Sequence, residues 1–324
     1  MRRVLVAGGA GYIGSHTVKE LLRSGFEPVV FDNLSSGHRE AAGRAEFILG
    51  DLNNEDEIAA AFKGGGFSAV LHFASLIQVG ESYLNPRKYY RHNLVTSLNL
   101  LAGAIESGVR DFIFSSSAAV YGMPRETPIR EDHPLEPINP YGWTKLMVEQ
   151  ILQDYDRAYG LKFVSLRYFN AAGADPEGAL GERHDPETHL IPNVLRAAAG
   201  NGPILRVFGT DFPTSDGTAV RDYIHVTDLA SAHVLALQHL QGGGTSEIIN
   251  LGSNRGYSVR EIIAAAEAAT GRSIPREEKP RREGDPPVLL ASKERAERVL
   301  GWTLRYSELE TILKTAWAWH LREP

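Results

Sequence analysis

A tyrosine and a lysine one helical turn apart, Tyr141 and Lys145, are the pair in this sequence best suited to proton chemistry. At i and i+4 their side chains share one helix face. An ammonium beside a phenol favours the phenolate and draws its pKa towards neutrality. Tyr141 is therefore a candidate acid/base for a hydroxyl group, with Ser117, the last of Ser115-Ser116-Ser117, as its hydrogen-bonding partner. A second set is Gly8-Gly9-Ala10-Gly11-Tyr12-Ile13-Gly14, with the spacing G-x-x-G-x-x-G. Gly8 permits a tight turn, Gly11 lets backbone amides approach a pyrophosphate at the positive end of a helix, and Gly14 allows close helix–sheet packing. Asp32 offers a carboxylate to the ribose hydroxyls of adenosine and repels a 2′-phosphate, so loop and acid together point to NAD rather than NADP. Asp51 has two readings, a contact to the adenine ring or a helix cap ahead of Asn53-Asn54-Glu55.

These groups need a frame that brings strand ends together. The first half of the chain supplies one, with apolar runs at 3–7, 28–31, 45–49, 69–73, 111–115 and 162–166 alternating with helical patterns. Helical stretches are expected at Asn54–Lys63, Tyr89–Ser107 and Tyr141–Tyr159. Buried strands alternating with helices imply an α/β protein of the Rossmann type, a doubly wound parallel sheet covered on both faces. Its ligand crevice lies at the carboxyl ends of the strands, where Gly8, Asp32, Asp51 and Ser117 fall. Beyond residue 170 the alternation fails, and a smaller, irregular α/β lobe is expected. The expected division is 1–170 for the dinucleotide lobe, with part of 220–250 returning to it, and 171–324 for the substrate lobe. Helices are expected at Ile191–Ala199, Val259–Thr270 and Tyr306–Leu321, and loop or extended chain at Pro275–Pro287.

The 324 residues carry 34 basic and 40 acidic side chains, a formal charge of −6, so no basic excess exists to drive binding to nucleic acid or an anionic membrane. There is no cysteine, which excludes disulfides, thiolate metal sites and cysteine nucleophiles. No apolar run reaches the length of a membrane helix, and the N-terminus does not read as a signal peptide, so a soluble cytoplasmic enzyme is expected. Eleven histidines invite a metal reading, particularly His184 to His189 and His225. None shows H-x-x-x-H spacing on a helix, so solvated or hydrogen-bonded histidines, and no metal, are expected.

The chain resembles the extended short-chain dehydrogenases/reductases and, in detail, is similar to the UDP-galactose (UDP-glucose) 4-epimerases over essentially its full length. The matching segments in the first half are GGAGYIGSH at 8–16, DNLSSG at 32–37, GD at 50–51, VGES at 79–82, SSSAAVYG at 115–122, PYGWTKLMVE at 140–149 and LRYFNAAGA at 166–174. HLIPNVL at 189–195, DGTAVRDYIHVTDLA at 216–230, NLGS at 250–253 and RREGD at 281–285 continue the match.

The resemblance implies reversible inversion at C4 of a UDP-hexose through a 4-keto intermediate, with NAD recycled and a homodimer as the assembly. It maps an NAD site onto Gly8, Gly11, Tyr12, Ile13, Gly14, Asp32, Asn33, Ser35, Ser36, Asp51, Leu52, Phe73, Ala74, Asn93 and Phe169. The catalytic group maps onto Ser117, Tyr141 and Lys145, which also touch the cofactor, and the first two touch the sugar. UDP-sugar contacts fall on Asn170, Leu190, Arg206, Phe208, Arg221, Tyr223, Arg282 and Asp285. A diphosphate needs forked, permanently charged donors, which agrees with the arginines. The competing reading of Arg221 is a surface ion pair with Asp222. Leu289 falls where the family borders the sugar's C2 substituent, and a leucine there implies slower turnover of UDP-N-acetylhexosamines beside UDP-glucose and UDP-galactose. The chain departs from its relatives at Ile77, Ala119 and His189. Sugar-nucleotide 4,6-dehydratases resemble one another in an Asp-Glu pair where this chain has Ala118-Ala119, which leaves no acid/base for elimination. A cofactor-sensing regulator would have no need of Tyr141 and Lys145. A net-oxidising dehydrogenase would accumulate free NADH.

Overall fold

The computed structural model describes residues 2–322 apart from 201 and 283. Its strands are β1 (Arg3–Ala7), β2 (Glu27–Asp32), β3 (Glu46–Leu49), β4 (Ala69–His72), β5 (Asp111–Ser115), β6 (Lys162–Arg167) and β7 (Asn170–Ala172). They continue with β8 (Leu205–Phe208), β9 (Val220–His225), β10 (Glu247–Asn250), β11 (Gly256–Ser258), β12 (Arg276–Lys279) and β13 (Val288–Leu289). The helices of the first half are α1 (Tyr12–Arg23), α2 (Glu55–Phe62), α3 (Val79–Leu84), α4 (Pro86–Tyr89), α5 (Thr96–Glu106) and α6 (Pro140–Tyr159). Those that follow are α7 (Leu190–Ala199), α8 (Val226–Gln241), α9 (Val259–Thr270), α10 (Glu294–Leu300) and α11 (Leu309–His320).

Seven strands form one parallel sheet in the order β10-β6-β5-β4-β1-β2-β3. Successive side chains in a strand point to opposite faces, and both faces here are dry. Val4, Val6, Val30, Leu71, Ile113 and Val164 enter one core, shared with residues of α1, α8 and α10. Leu5, Val29, Val70, Phe112, Phe114 and Phe163 enter the other, shared with residues of α2, α5 and α6. That two-sided burial is why these strands read as continuous apolar runs. The order reverses between β1 and β4, which opens the crevice in front of Gly8 and Ala74.

The segment 226–250 runs back to this sheet. α8 packs on α1, and β10 pairs with β6 at the edge. The remaining strands build a smaller sheet with the path β11-β9-β13, with β7 also paired to β9, and a separate β8–β12 pair. Ile191, Val194, Ile262, Ile263, Ile312 and Leu313 of α7, α9 and α11 share a core with Val207 and Tyr223. One element differs from expectation. The helix foreseen at Tyr89–Ser107 is broken by a wide π turn at Tyr90–Val95. There the hydroxyls of Thr96 and Ser97 donate back to the carbonyls of His92 and Asn93 at 2.5 and 2.6 Å, a competition that opens the helix. The stretch Pro275–Pro287, expected as loop or extended chain, carries the short strand β12 (Arg276–Lys279). No helix of the described residues is long and apolar enough to cross a membrane.

Candidate active site

The glycine loop links β1 to α1. A Cβ on Gly8 would run into the backbone nitrogen of Ala74, and one on Gly14 into the carbonyl oxygen of Gly8, so neither position has room for a side chain. Gly11 caps α1 without a side-chain hydrogen bond, which leaves first-turn amides for an anion. Behind the loop, the buried Asp32 carboxylate accepts from the amides of Ala10 (2.9 Å) and Leu34 (2.8 Å). Each oxygen keeps a lone pair for a ribose hydroxyl. A tight, uncapped helix start next to a fixed carboxylate fits a dinucleotide with a free 2′-hydroxyl. Adding one methyl to such packing costs about 1–3 kcal/mol. Gly14→Ala is therefore expected to weaken NAD binding by about 5- to 150-fold, measured as nucleotide released from the purified, acid-denatured protein. Wild-type nucleotide content in that variant would show that the close approach of α1 is dispensable.

Around the loop, Tyr12 donates its hydroxyl to the carbonyl of Gly173 at 2.6 Å, which ties α1 to the second lobe. Asn33, Ser35 and Ser36 lie exposed after β2. Asp51 accepts from Asn33 (3.2 Å) and from the backbone and side chain of Asn53 (both 2.8 Å). The cap of α2 is Asn54, whose side chain takes the amides of Asp56 and Glu57, so the capping reading of Asp51 is corrected. Leu52 sits in the core beneath, and the half-buried Phe73 ring meets the His233 ring at a tilt, centroids 4.7 Å apart. Asn93, buried in the π turn, holds the strand-end segment by accepting from Leu76 N (2.8 Å) and donating to Leu76 O (3.0 Å). It also donates to the Thr144 hydroxyl at 3.2 Å.

The proton-handling group forms at the carboxyl end of β5. Asn139 caps α6 through the amide of Gly142 at 2.7 Å, and Pro140 takes the first helical position. That start fixes Tyr141 in the first turn, with Lys145 one turn on. Ser117 Oγ accepts from Ala119 N at 3.1 Å, keeping its proton to donate to Tyr141. Lys145 Nζ donates to the carbonyl of Ser115 at 2.8 Å and lies 5.7 Å from the centre of the Tyr141 ring. The electrostatics depart from expectation. Burial raises the Tyr141 pKa, the Ser117 hydrogen bond only partly opposing it. Burial also lowers Lys145 to about 7, against the pull of Glu149. Lys145 spends its hydrogen bond on a carbonyl, and its charge is itself costly in this dry site. The chain alone therefore does not bring the phenol to neutrality.

Glu149, Arg167 and Ser116 form a buried network behind Lys145 that sequence reasoning missed. Glu149 and Arg167 are fully buried and paired, Arg167 Nε to Glu149 Oε1 at 2.9 Å and Nη2 to Oε2 at 2.5 Å. Ser116 Oγ and Tyr121 Oη complete the network at 2.6 and 2.8 Å. The signal was present as the stripe Tyr141, Lys145, Glu149, each four residues after the last.

In the second lobe, Asn170 donates to the carbonyl of Asp222 at 2.9 Å. Arg221 donates to the carbonyls of Val220 and Pro286 at 2.9 and 2.8 Å and faces Asp285 at 3.9 Å. The competing pairing with Asp222 is not formed. Asp222 is buried and accepts from Ser253 and the amide of Ala291. Arg282 donates to Asp285 at 2.9 Å, with its guanidinium 5.2 Å from the Phe208 ring centre. Tyr223 is buried, and Leu190 is half-buried at the start of α7. Leu289 and Phe169 are both half-buried and pack on the cluster formed by Ala118, Val120, Tyr121 and Ile129 after Ser117. Arg206 stands apart, 65% exposed and paired with Glu277 on β12 at 3.1 Å.

Among the described residues one set of metal-ligating types converges, Glu182, His184, Glu187 and His189. Their ligating atoms all lie within 4.8 Å of one another. Burial alone would lower both histidines, but the two carboxylates outweigh it and raise His184 to about 9 and His189 to about 10.

A family model described as the NAD dependent epimerase/dehydratase family matches residues 4–252. The UDP-glucose 4-epimerase of Lacticaseibacillus casei is 48% identical over 322 residues, covering 99% of this chain and 97% of that protein. The crystal structure of a UDP-glucose 4-epimerase from Brucella ovis in complex with NAD superposes with a TM-score of 0.96 at 50% identity, covering 98% of both chains. The UDP-Glc/GlcNAc 4-epimerase of Campylobacter jejuni superposes with a TM-score of 0.86 at 41% identity, covering 99% of this chain and 100% of that one.

Proposed function

Because the chain belongs to the NAD dependent epimerase/dehydratase family, we propose that it interconverts UDP-glucose and UDP-galactose by removing and returning hydride at C4, with Ser117, Tyr141 and Lys145 handling the proton. The observation that carries this reading is the meeting of those three side chains at the carboxyl end of β5, two strands from the Gly8 turn. NAD held in front of the Gly8 turn would supply a reversible hydride acceptor for C4. Tyr141 takes the proton of the 4-hydroxyl and later returns it. Ser117 donates to the phenolate and bridges to the same oxygen. Lys145 favours the phenolate once protonated and orients the nicotinamide ribose. Asp32, Asn33, Asp51 and Asn93 hold the dinucleotide from the first sheet.

The lobe from 171 onward, less the returning segment, grips UDP through Arg221 and Arg282, set around Asp285. Forked guanidinium donors suit a diphosphate. An anchored UDP leaves the hexose free to turn over between the two hydride transfers. Leu289 leaves more room than an aromatic side chain, which supports slower turnover of UDP-N-acetylglucosamine. Tyr83, Leu84, Val95, Trp143 and Met147 expose large apolar side chains around α3, the π turn and α6, which supports a homodimer through that face. A cytoplasmic location accords with a chain that has no cysteine.

Turnover of UDP-galactose in D₂O tests the reading, with the nucleotide sugars separated afterwards. UDP-glucose is expected with no deuterium at C4, and NAD(H) stays with the protein. Deuterium at C4 would mean abstraction of a proton from carbon, and NADH accumulating in solution would mean net oxidation. Either result would replace the proposed reaction.

A further inference from the structure

We propose that Glu182, His184, Glu187 and His189 form a zinc site in the segment between the glycine-loop helix α1 and α7. The geometry is that of a four-ligand cage. His189 Nδ1 lies 2.8 Å from Glu182 Oε1 and 2.9 Å from Glu187 Oε1. His184 Nδ1 lies 3.2 Å from Glu182 Oε1 and 3.5 Å from Glu187 Oε2. Four nitrogen and oxygen ligands around one zinc, each at about 2.0–2.2 Å, stand about 3.3 Å apart. The four nitrogen–oxygen separations, 2.8–3.5 Å, lie around that value, and one ligand atom from each residue lies within 4.8 Å of every other, contacts that a metal would draw in. His184 Nδ1 is buried and has no hydrogen-bond partner, although two carboxylates face it. Without a metal the carboxylates face imidazolium N–H groups, His189 Nδ1 donating to Glu187 Oε1 at 2.9 Å, and a zinc ion would take the place of those protons on the same four side chains.

The cage is held from outside, as ligands of a metal commonly are. The amides of Thr188 and His189 both donate to Glu187 Oε1 at 2.7 Å, which leaves Oε2 turned to His184. Asn193 of α7 donates to the carbonyl of His189 at 2.9 Å, and Trp319 of α11 to that of Glu182 at 3.3 Å. The Tyr12 ring meets the His184 ring edge-on at 6.3 Å. Glu187 is 1% exposed and Glu182 7%, so the two negative charges are nearly dry. Buried carboxylates need compensating positive charge, and one dication supplies it in place of two protons. Mixed imidazole and carboxylate donors, with no thiolate, suit zinc, whereas magnesium and calcium prefer all-oxygen cages.

The role assigned is structural, a clasp joining Tyr12 of α1 to the start of α7. The test uses the full-length protein stripped with a chelator, incubated with zinc chloride alone, desalted and measured for metal content and melting temperature. About one zinc per chain and a melting temperature several degrees higher are expected. The H184Q and E182Q variants are expected to fold and to retain zinc about tenfold less well or worse. Negligible zinc on the wild-type chain would overturn the site. So would equal retention by the two variants, or uptake of magnesium or calcium in preference to zinc.

Discussion

Replacing Tyr141 by phenylalanine is expected to lower kcat by about 10²–10⁴-fold, the usual contribution of a positioned acid/base, while the Kd for UDP stays near that of the wild type. The substitution removes one oxygen from a ring that is 9% exposed, so packing around it is preserved. The diphosphate contacts assigned to Arg221 and Arg282 are in the other lobe and are untouched. Steady-state rates with UDP-galactose and a calorimetric titration with UDP check both halves. A variant with near wild-type kcat would remove Tyr141 from the reaction. A variant that lost UDP binding would make it a binding residue.

The second large effect is on stability. Arg167→Met should cost about 3–5 kcal/mol, because it strands the Glu149 carboxylate in a dry interior with only Ser116 as donor. Replacing both partners together, Glu149→Leu with Arg167→Met, should cost much less, since a buried pair exchanged for apolar side chains is often close to neutral. Urea unfolding of the two single variants and the double variant measures the cycle. The pair also tunes the site, because Glu149 is the group that raises the Lys145 pKa. The double variant should therefore be stable and yet poorly active. If Arg167→Met alone shifted stability by under about 1 kcal/mol, the pair would count as no more than a surface bridge.

What the sequence made legible follows from physical clarity. β1, β2, β5 and β6 are buried on both faces, so their apolar runs stand out, and the reversal of sheet order could be inferred from their alternation with helices. The glycine loop and Asp32 were readable because each residue type answers a steric or polar demand that few others meet. The second lobe was harder to read. β8 is only four residues long and β12 is wholly charged, Arg-Glu-Glu-Lys, so neither offers an apolar run although both alternate between buried or half-buried and exposed positions. α10 buries only Ala296 and Leu300 in a charged stretch. The phenol stands above its ordinary value rather than nearer neutrality because spacing shows that Lys145 and Tyr141 share a face but not how deeply the fold buries Tyr141. His184 and His189 are set aside on the sequence because they lack helical H-x-x-x-H spacing, and what the sequence hides is that Glu182 and Glu187 join them from irregular chain. Only tertiary anchoring by Asn193 and Trp319 brings them together.

The chain does not finish one core before starting the next. It leaves the large sheet after β6 for β7, returns with α8 and β10, leaves again for β11 and α9, returns with α10 and Trp302, and ends in α11. Two bodies stitched by so many connections cannot swing apart as a hinge would allow, because every crossing would have to bend at once. A dinucleotide lying at the seam would leave by local opening of the glycine turn or of the segment that Asn93 pins rather than by a hinge motion. Such a molecule would treat its nicotinamide as a permanent fitting and would be insensitive to the ratio of oxidised to reduced dinucleotide around it, as a catalyst that ends each cycle where it began can afford to be.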